Sequence, residues 1–531
     1  MEHPVTDLAD LPYDIFLSIV AYLSPSETLL CRRVSRAWSV AFRGDHVSWS
    51  FMRWHFPRTR EMKRAAQAQS PAAWSHAWHN VISRHHRLAN AEAKMIEKIS
   101  LAPIGKQDHW FREVEPWDRR LEFGDGTNNT PISVAIFQYG NPDWCLDDGL
   151  LIYREGGSNS YIAYDLEMGR RFPVPFRVAD KTIRRLRLAQ NILIFEWCKR
   201  TPSPLVNNRH VFSSHFVTVF DVPRPAEPAS CSNSTRPWEI RLRFEWEIHS
   251  EIGRHDRFFS AHTATHYALY LWQQGGLCRP DDDLSEQLTI WDITDATSEG
   301  HSHGRGYSQH LDVVPRRPKA IKKFTSPDLE FLHIRQGQTP KLRDIFLDEL
   351  NLYVHEEDHH WLRGRHVSQN ARPRLHDVCS TGIPLTGVGP RWFDKCSADG
   401  DDERSFCPRA GSARRVGGRK RAPGHVIKAT WLGWAPCWRH EDLPNTTLSE
   451  VVDADAGVRI AARQCFDANA LTSFVRPAGY PESATGAEGE EDEAYFEDDL
   501  WRQLLGKGVI AGDERWVVGE DGRGAITVVR F

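Results

Sequence analysis

The feature that most constrains this chain is its stretch 8–38, LADLPYDIFLSIVAYLSPSETLLCRRVSRAW. It spells three short helices carrying more apolar surface than they can hide among themselves. Leu11 and Pro12 open the first; proline is tolerated in a first turn because that N–H has no helical partner anyway. Asp14 sits in the same turn, where the positive end of the helix dipole favours a carboxylate. Ile15, Ile19 and Leu23 recur every four residues along one face, and Phe16 and Val20 widen that stripe. Ser24-Pro25-Ser26-Glu27 has the form of a capping box with proline at the first helical position, so a second helix starts there, carrying Leu29 and Leu30. Val34 and Trp38 repeat the four-residue spacing onto a third. A unit of about 40 residues lies near the lower limit for folding alone. Its surplus of apolar groups points to a partner.

The pattern resembles the F-box, through the Leu11-Pro12 opening, the Ile15/Ile19/Leu23 stripe, the Leu29-Leu30 pair and the Val34-x-x-x-Trp38 close. Asp45-His46-Val47-Ser48-Trp49 continues the likeness, as does His55-Phe56-Pro57, which often follows in fungal members. The resemblance covers residues 6–57. It implies a substrate-receptor subunit of an SCF ubiquitin ligase, whose F-box binds the Skp adaptor and through it a cullin scaffold and a RING subunit. Carried over by position, Leu11, Pro12, Ile15, Ile19, Leu23, Leu29, Leu30, Val34 and Trp38 are the expected adaptor contacts or the packing beneath them. Ser35 departs from the family, which commonly has cysteine there; a small residue still fits. The rival account is an ordinary helical hairpin packed on its own domain.

Composition agrees with a receptor rather than with a membrane or secreted protein. The 531 residues leave room for a small module plus one large domain, and 40% hydrophobic content supplies a sizeable core. A net charge of −4 gives no overall field toward nucleic acid or lipid. Ten cysteines are scattered with no C-x-x-C pair, which reads as reduced thiols. MEHPVTDLADLP lacks an apolar run, so no signal peptide is expected. No stretch reaches the roughly 18 apolar residues needed to span a bilayer. Cytoplasm and/or nucleus is the expected location.

Residues 58–114 read as a helical linker. Glu61 to Gln69 favours helix, Pro71 opens another carrying Trp74, Trp78 and Ile82, and Ala89, Ala93, Ile96 and Ile99 place a third over 89–99. Trp74 and Trp78 are expected to be packing anchors, and the linker a stiff stalk. From 115 to 531 short β-like runs alternate with Gly, Pro, Asn, Asp and Ser. Hairpins are predicted between 150–155 and 161–166, between 182–188 and 192–198, and between 515–518 and 525–531. An aromatic-rich strand ending in aspartate and an aliphatic residue recurs as Tyr161–Leu166, Val217–Val222 and Leu288–Ile293. The last resembles the closing strand of a WD repeat blade, and polar insertions account for spacings beyond the ~40–45 of a tight repeat. The region is therefore read as a divergent β-propeller, with a pair of β-sandwiches as the alternative.

Two charged insertions interrupt this pattern, near 397–424 and 482–499. Arg414-Arg415 and Arg419-Lys420-Arg421 fit a nuclear-import signal, a nucleic-acid patch or a solvated loop. Glu488 to Asp499 is acidic and is predicted to be a mobile loop. His355-Glu356-Glu357-Asp358-His359 matches the H-E-x-x-H zinc signature, which needs a helix so that both imidazoles share one face. Leu350 to Val354 alternates as a strand would, which argues against it. There is no G-x-S-x-G elbow and no phosphate-binding glycine loop.

The sequence thus predicts an α+β multidomain chain: an F-box at 6–57, a helical linker at 58–114 and a β-rich substrate-recognition domain at 115–531. It is expected to be non-catalytic, with no metal or cofactor. Its expected partners are the Skp adaptor, through it cullin and RING subunits, and a substrate protein, with no membrane and no nucleic acid. The alternatives are an F-box scaffold acting with the adaptor alone, and a zinc hydrolase using His355, Glu356 and His359.

Overall fold

Six helices open the chain: α1 (Tyr13–Val20), α2 (Pro25–Cys31), α3 (Arg36–Ala41), α4 (Asp45–His55), α5 (Arg60–Ala68) and α6 (Pro71–Ala89). The computed structural model describes residues 8, 11–68, 71–101, 143–156, 158, 160–179, 181–200, 213–222, 240–252, 257–273, 285–294, 317–337, 341–361, 374–386, 392–393, 403–404, 437–443, 446–453, 458–464, 471–476, 496–505, 509–521 and 523–531. Pro12 is the N-cap of α1. The capping box at α2 is complete: the Ser24 hydroxyl accepts from the Glu27 N–H at 3.3 Å, and the Glu27 carboxylate accepts from the Ser24 N–H at 2.7 Å. Ser35 caps α3 by accepting from the Trp38 N–H at 3.1 Å, a bond that gives the serine its own reason to stand there.

These helices share one core. Phe16 and Val20 of α1 bury against Phe42, Phe51 and Met52, and α6 adds Trp78, Val81 and Ile82 to the same cluster. Trp78 stacks on Phe51 with ring centroids 4.9 Å apart, the packing role expected of it. The N-terminal unit therefore does not stand alone: the helix after it fills its interior.

The third predicted linker helix is absent. At the end of α6 the Ala91 N–H donates to the Leu88 carbonyl at 3.1 Å and the Glu92 N–H to the Arg87 carbonyl at 2.8 Å, while Ala91 takes φ 52°. That is a Schellman stop with alanine in the left-handed position usually given to glycine. The chain then enters strand β1 (Met95–Ser100), which pairs antiparallel with the last strand of the protein. Ile96 and Ile99 fit a helical period, but β-branched residues also suit a strand, and the partner that decides lies over 400 residues away.

The rest is β. The first sheet is the meander β2 (Trp144–Asp147), β3 (Leu150–Arg154), β4 (Tyr161–Asp165), β5 (Arg170–Val174). The second is β6 (Thr182–Ala189), β7 (Ile192–Arg200), β8 (Ser213–Asp221), β9 (Arg241–Ile252). The third is β10 (Arg257–His262), β11 (His266–Gln273), β12 (Ser285–Asp292), β13 (Lys319–Thr325), followed by a short helix α7 (Ser326–Phe331). The fourth orders β14 (Leu342–Leu347), β15 (Asn351–Trp361) and β16 (Arg374–Pro384) beside β19 (Cys437–Leu443); a small pair, β17 (Trp392–Phe393) and β18 (Glu403–Arg404), comes between in sequence. A fifth holds β20 (Thr446–Asp453), β21 (Val458–Gln464) and β22 (Leu471–Arg476). After helix α8 (Asp498–Leu505), strands β23 (Ile510–Gly512), β24 (Trp516–Glu520) and β25 (Ala525–Arg530) join β1 in the order β1-β25-β24-β23. The start and end of the β region thus close in one sheet.

Every sheet is open and antiparallel, and none described here forms a barrel. First strands approach one another around the series: β2 touches β6, β10 touches β14, β20 touches β23, and β23 touches β2. Apolar clusters lie between successive sheets rather than inside one. Tyr161, Phe176, Phe195 and Phe220 join the first to the second, with Phe176 and Phe195 stacked at 3.9 Å. Phe258, Tyr267 and Leu269 pack against Ile194 and Val219 to join the second to the third. This is the succession expected of propeller blades and differs from two stacked sandwich sheets.

All three predicted hairpins form. Gln190 and Asn191 make the two-residue turn of the second with φ of 50° and 63°, the conformation a type I′ turn requires. The repeated aspartates fall at the ends of β4, β8 and β12, which are third strands of their sheets rather than closing ones. Asp165 accepts from the Glu167 and Met168 N–H groups at 2.9 Å each and Asp292 from the Thr294 N–H at 2.9 Å, so these two serve the following turn, whereas Asp221 accepts from the Arg243 guanidinium at 2.9 Å.

The acidic insertion ends earlier than predicted. Phe496 is buried against Trp501 and Phe531, and α8 brings Leu504 and Leu505 into that cluster. Apolar side chains at helical spacing outweigh the charge of Glu497 and Asp499, which lie at the helix's favourable N-terminal end. Gly519 lets α8 approach, since a Cβ there would collide with the Leu504 carbonyl. The basic residues at 414–421 and the run 488–495 lie outside the described residues.

Candidate adaptor-docking surface

The helical module is clamped to the β region by ion pairs, which fixes where its outer face looks. Arg84 of α6 donates to Glu61 of α5 at 2.7 Å and meets Glu514 of the β23–β24 turn at 3.0 Å. Arg64 pairs with Glu167 at 2.9 Å and Arg60 with Asp148, both carboxylates belonging to turns of the first sheet. Arg515 gathers Asp513 at 2.5 Å, Asp148 at 3.0 Å and Glu167 at 3.5 Å. Burial pushes the Glu61 carboxyl up, but the Arg84 hydrogen bond and charge outweigh it and hold Glu61 below its ordinary value. Burial, a hydrogen bond to Asp453 and the nearby Asp513 carboxylate push the Glu514 carboxyl up, against the opposing pull of Arg84. Asp453, Asp513 and Glu514 lie close enough to share a cation, yet Arg84 and Arg515 already face them with positive charge.

On the far side of α1 the apolar residues separate into two stripes. Phe16, Val20 and Leu23 turn inward onto the core. Ile15 and Ile19, one position earlier and so about 100° around the helix, remain 46% and 43% exposed. Phe16 and Val20 were expected to widen the outer stripe; they form the inner one instead. Tyr22 extends the outer row and is 91% exposed. Leu30 at the end of α2 and Val34 in the turn before α3 add to it at 55% and 63%.

The nine positions carried over by resemblance therefore do two jobs. Pro12, Ile15, Ile19, Leu30 and Val34 are exposed, whereas Leu11, Leu23, Leu29 and Trp38 are half-buried against the helical core. Trp38 stacks on Phe42 at 5.9 Å. Tyr22, Tyr13 and Val40 were missed, and they too are exposed apolar side chains of this module. Tyr22 was legible, because it follows Ile15 and Ile19 at the i+7 and i+3 positions. The rim carries charge: the Ser24 N–H holds the Glu27 carboxyl below its ordinary range, and Arg32 and Arg43 stand near one another. On α4, Arg53 lies over the exposed Trp49 ring at 5.4 Å.

The zinc reading fails on backbone geometry. His355 and His359 lie on strand β15, paired with Ser380 and His376 of β16. Four residues of extended strand span about 13 Å, far beyond the reach of one metal ion. No described helix is long and apolar enough to cross a membrane.

Comparison with known proteins bears on this surface at one point. Residues 8–52 match the F-box-like family model. Comparison with curated proteins gives no match. Among solved structures the chain is similar to one titled "Crystal Structure of Mitotic Checkpoint Complex", at a TM-score of 0.33 and 7% identity, over 83% of this chain and 96% of that one. A likeness that distant transfers no role. Residues 8–52 form an F-box-like domain, and a large β region follows it, built mainly of four-stranded antiparallel sheets.

Proposed function

We propose that this chain is the substrate-recognition subunit of an SCF-type ubiquitin ligase. Its F-box-like domain docks on the Skp adaptor, which links it to cullin and RING subunits, and its β region, a divergent propeller of WD-like blades, holds a target protein. The observation that carries this reading is the exposed row Ile15, Ile19, Tyr22, Leu30 and Val34 beside a core already closed by α6. The helices satisfy their own interior and still present apolar side chains, which is how a docking face differs from an unfinished core. Catalysis then arises by tethering: a bound target lysine near a charged conjugating enzyme reacts at high effective concentration. The contacts of Arg84 with Glu514, Arg64 with Glu167 and Arg60 with Asp148 support this, because they tie the helical module to the β region. Such a receptor works in cytoplasm or nucleus.

The test is reconstitution. Purified chain, Skp adaptor and cullin, run together on size exclusion with light scattering, are expected to elute as one equimolar complex. An adaptor complex that leaves cullin behind favours the scaffold role. Failure to retain the adaptor refutes both.

A further inference from the structure

Two hollows adjoin where α6 meets the sheet that closes the chain. The larger, about 620 Å³, lies between α5, α6 and the ends of β1 and β25. The smaller, about 250 Å³, lies between that sheet and β4. Glu167, Trp516 and Arg530 line both, so they form one continuous groove. Its larger part is cationic. Six arginine or lysine side chains line it against two glutamates. Three of the cations are already engaged: Arg64 with Glu167, Arg84 with Glu61, and Arg515 with Asp513. Arg87 in the last turn of α6, Lys94 just before β1 and Arg530 at the end of β25 face no carboxylate among the described residues. Main-chain bonds hold two of them together: the Lys94 N–H donates to the Arg530 carbonyl at 2.7 Å. The smaller part is mixed: Met95, Leu166, Met168 and Val528 give it an apolar side, and its Glu97 accepts from the Tyr164 hydroxyl at 3.0 Å. Trp516, 3% exposed and bordering both parts, has an indole N–H without an acceptor among the described residues.

We propose that this groove binds an acidic peptide segment of the target protein, with its carboxylates at Arg87, Lys94 and Arg530 and an adjacent aliphatic side chain against Met95, Leu166 and Met168. This rests on the receptor reading and names its substrate class. Three cations without a carboxylate partner in a concave site, with Arg530 held over the Trp516 ring at 5.6 Å, select for anions. The methionine- and leucine-lined continuation favours a peptide over a polynucleotide, whose phosphates would leave it empty.

The test uses the full chain and fluorescence anisotropy with three labelled probes: a twelve-residue peptide of glutamates with two leucines, the same peptide with lysine for glutamate, and a twelve-nucleotide single-stranded DNA. The acidic peptide is expected to bind saturably and more weakly as salt rises, and the lysine peptide not at all. Arg87→Glu/Lys94→Glu/Arg530→Glu is expected to weaken it by about tenfold or more, from the sum of three partly exposed charge contacts. Should that variant unfold, Arg87→Glu/Lys94→Glu alone carries the test. Lys319→Glu/Lys323→Glu, on exposed positions of β13, should leave binding unchanged. Equal binding of both peptides, tighter binding of the DNA, or indifference to the reversals overturns the proposal. Adaptor binding is read in parallel: a variant blind to the peptide but retaining the adaptor separates the groove from the docking face.

Discussion

Replacing Ile15, Ile19 and Leu30 together by alanine tests whether the outer row is a docking face. The three side chains are 46%, 43% and 55% exposed, so about half of each remains for a partner to cover. Full burial of such a residue contributes ~1.5–3 kcal/mol, which leaves ~1 kcal/mol each and ~3 kcal/mol for the row. Adaptor affinity should therefore fall by at least ~100-fold. Stability should change little, since these side chains border the core rather than fill it. Phe16→Ala is the counter-experiment: Phe16 is 5% exposed, and its loss should cost about 3–5 kcal/mol of stability. The pair of measurements is titration calorimetry with purified adaptor and thermal melting of each variant. Unchanged affinity in the triple variant would refute the reasoning, and so would an equal loss of melting temperature in both. A variant at Leu11 would be less informative, because Leu11 packs on the helical core and mixes folding with binding.

Three further outcomes follow from the same geometry. Arg84→Ala should destabilise the protein by about 3–5 kcal/mol in urea unfolding, because Glu61 would keep a buried carboxylate without its cation; a change below ~1 kcal/mol would contradict that buried pairing. His262 and His85 are pushed down to about 4, chiefly by burial. Each is neutral when folded and takes a proton when unfolded, so stability should fall as pH drops from about 6.5 to 4, and His262→Gln should flatten part of that slope. Ala91→Gly should raise stability by about 0.5–1 kcal/mol, since alanine pays for its left-handed φ of 52°; a loss in thermal melting would sink that account.

Local chemistry was the legible part of this chain. Ser24 and Glu27 announced a capping box that the structure completes, and the hairpin turning at Gln190-Asn191 could be placed from its flanking apolar runs alone. The strand ends at Asp165, Asp221 and Asp292 could be found by their repetition, though not their place as third strands, which for Asp221 and Asp292 depends on a fourth strand beyond an insertion. What failed was decided by distant partners. Residues 95–100 satisfy a helical period and become strand because β25 offers hydrogen bonds. Phe496 and Trp501 sit beside an acidic run yet bury, because Phe531, just past β25 and 35 residues further along the chain than Phe496, stacks on Phe496. At the docking face the error was one of rotation: a stripe of residues 15, 16, 19, 20 and 23 is too wide for one surface. Only packing against Phe42 and Phe51 divides it into the inner Phe16/Val20 and the outer Ile15/Ile19.

Hydrogen exchange on the full chain with and without the Skp adaptor tests the central claim most directly. Amides of residues 13–41, spanning α1 to α3, should gain protection in the complex while those of the β sheets keep their own rates. If the adaptor leaves α1 to α3 exchanging as in the free chain, the outer face is not its binding surface.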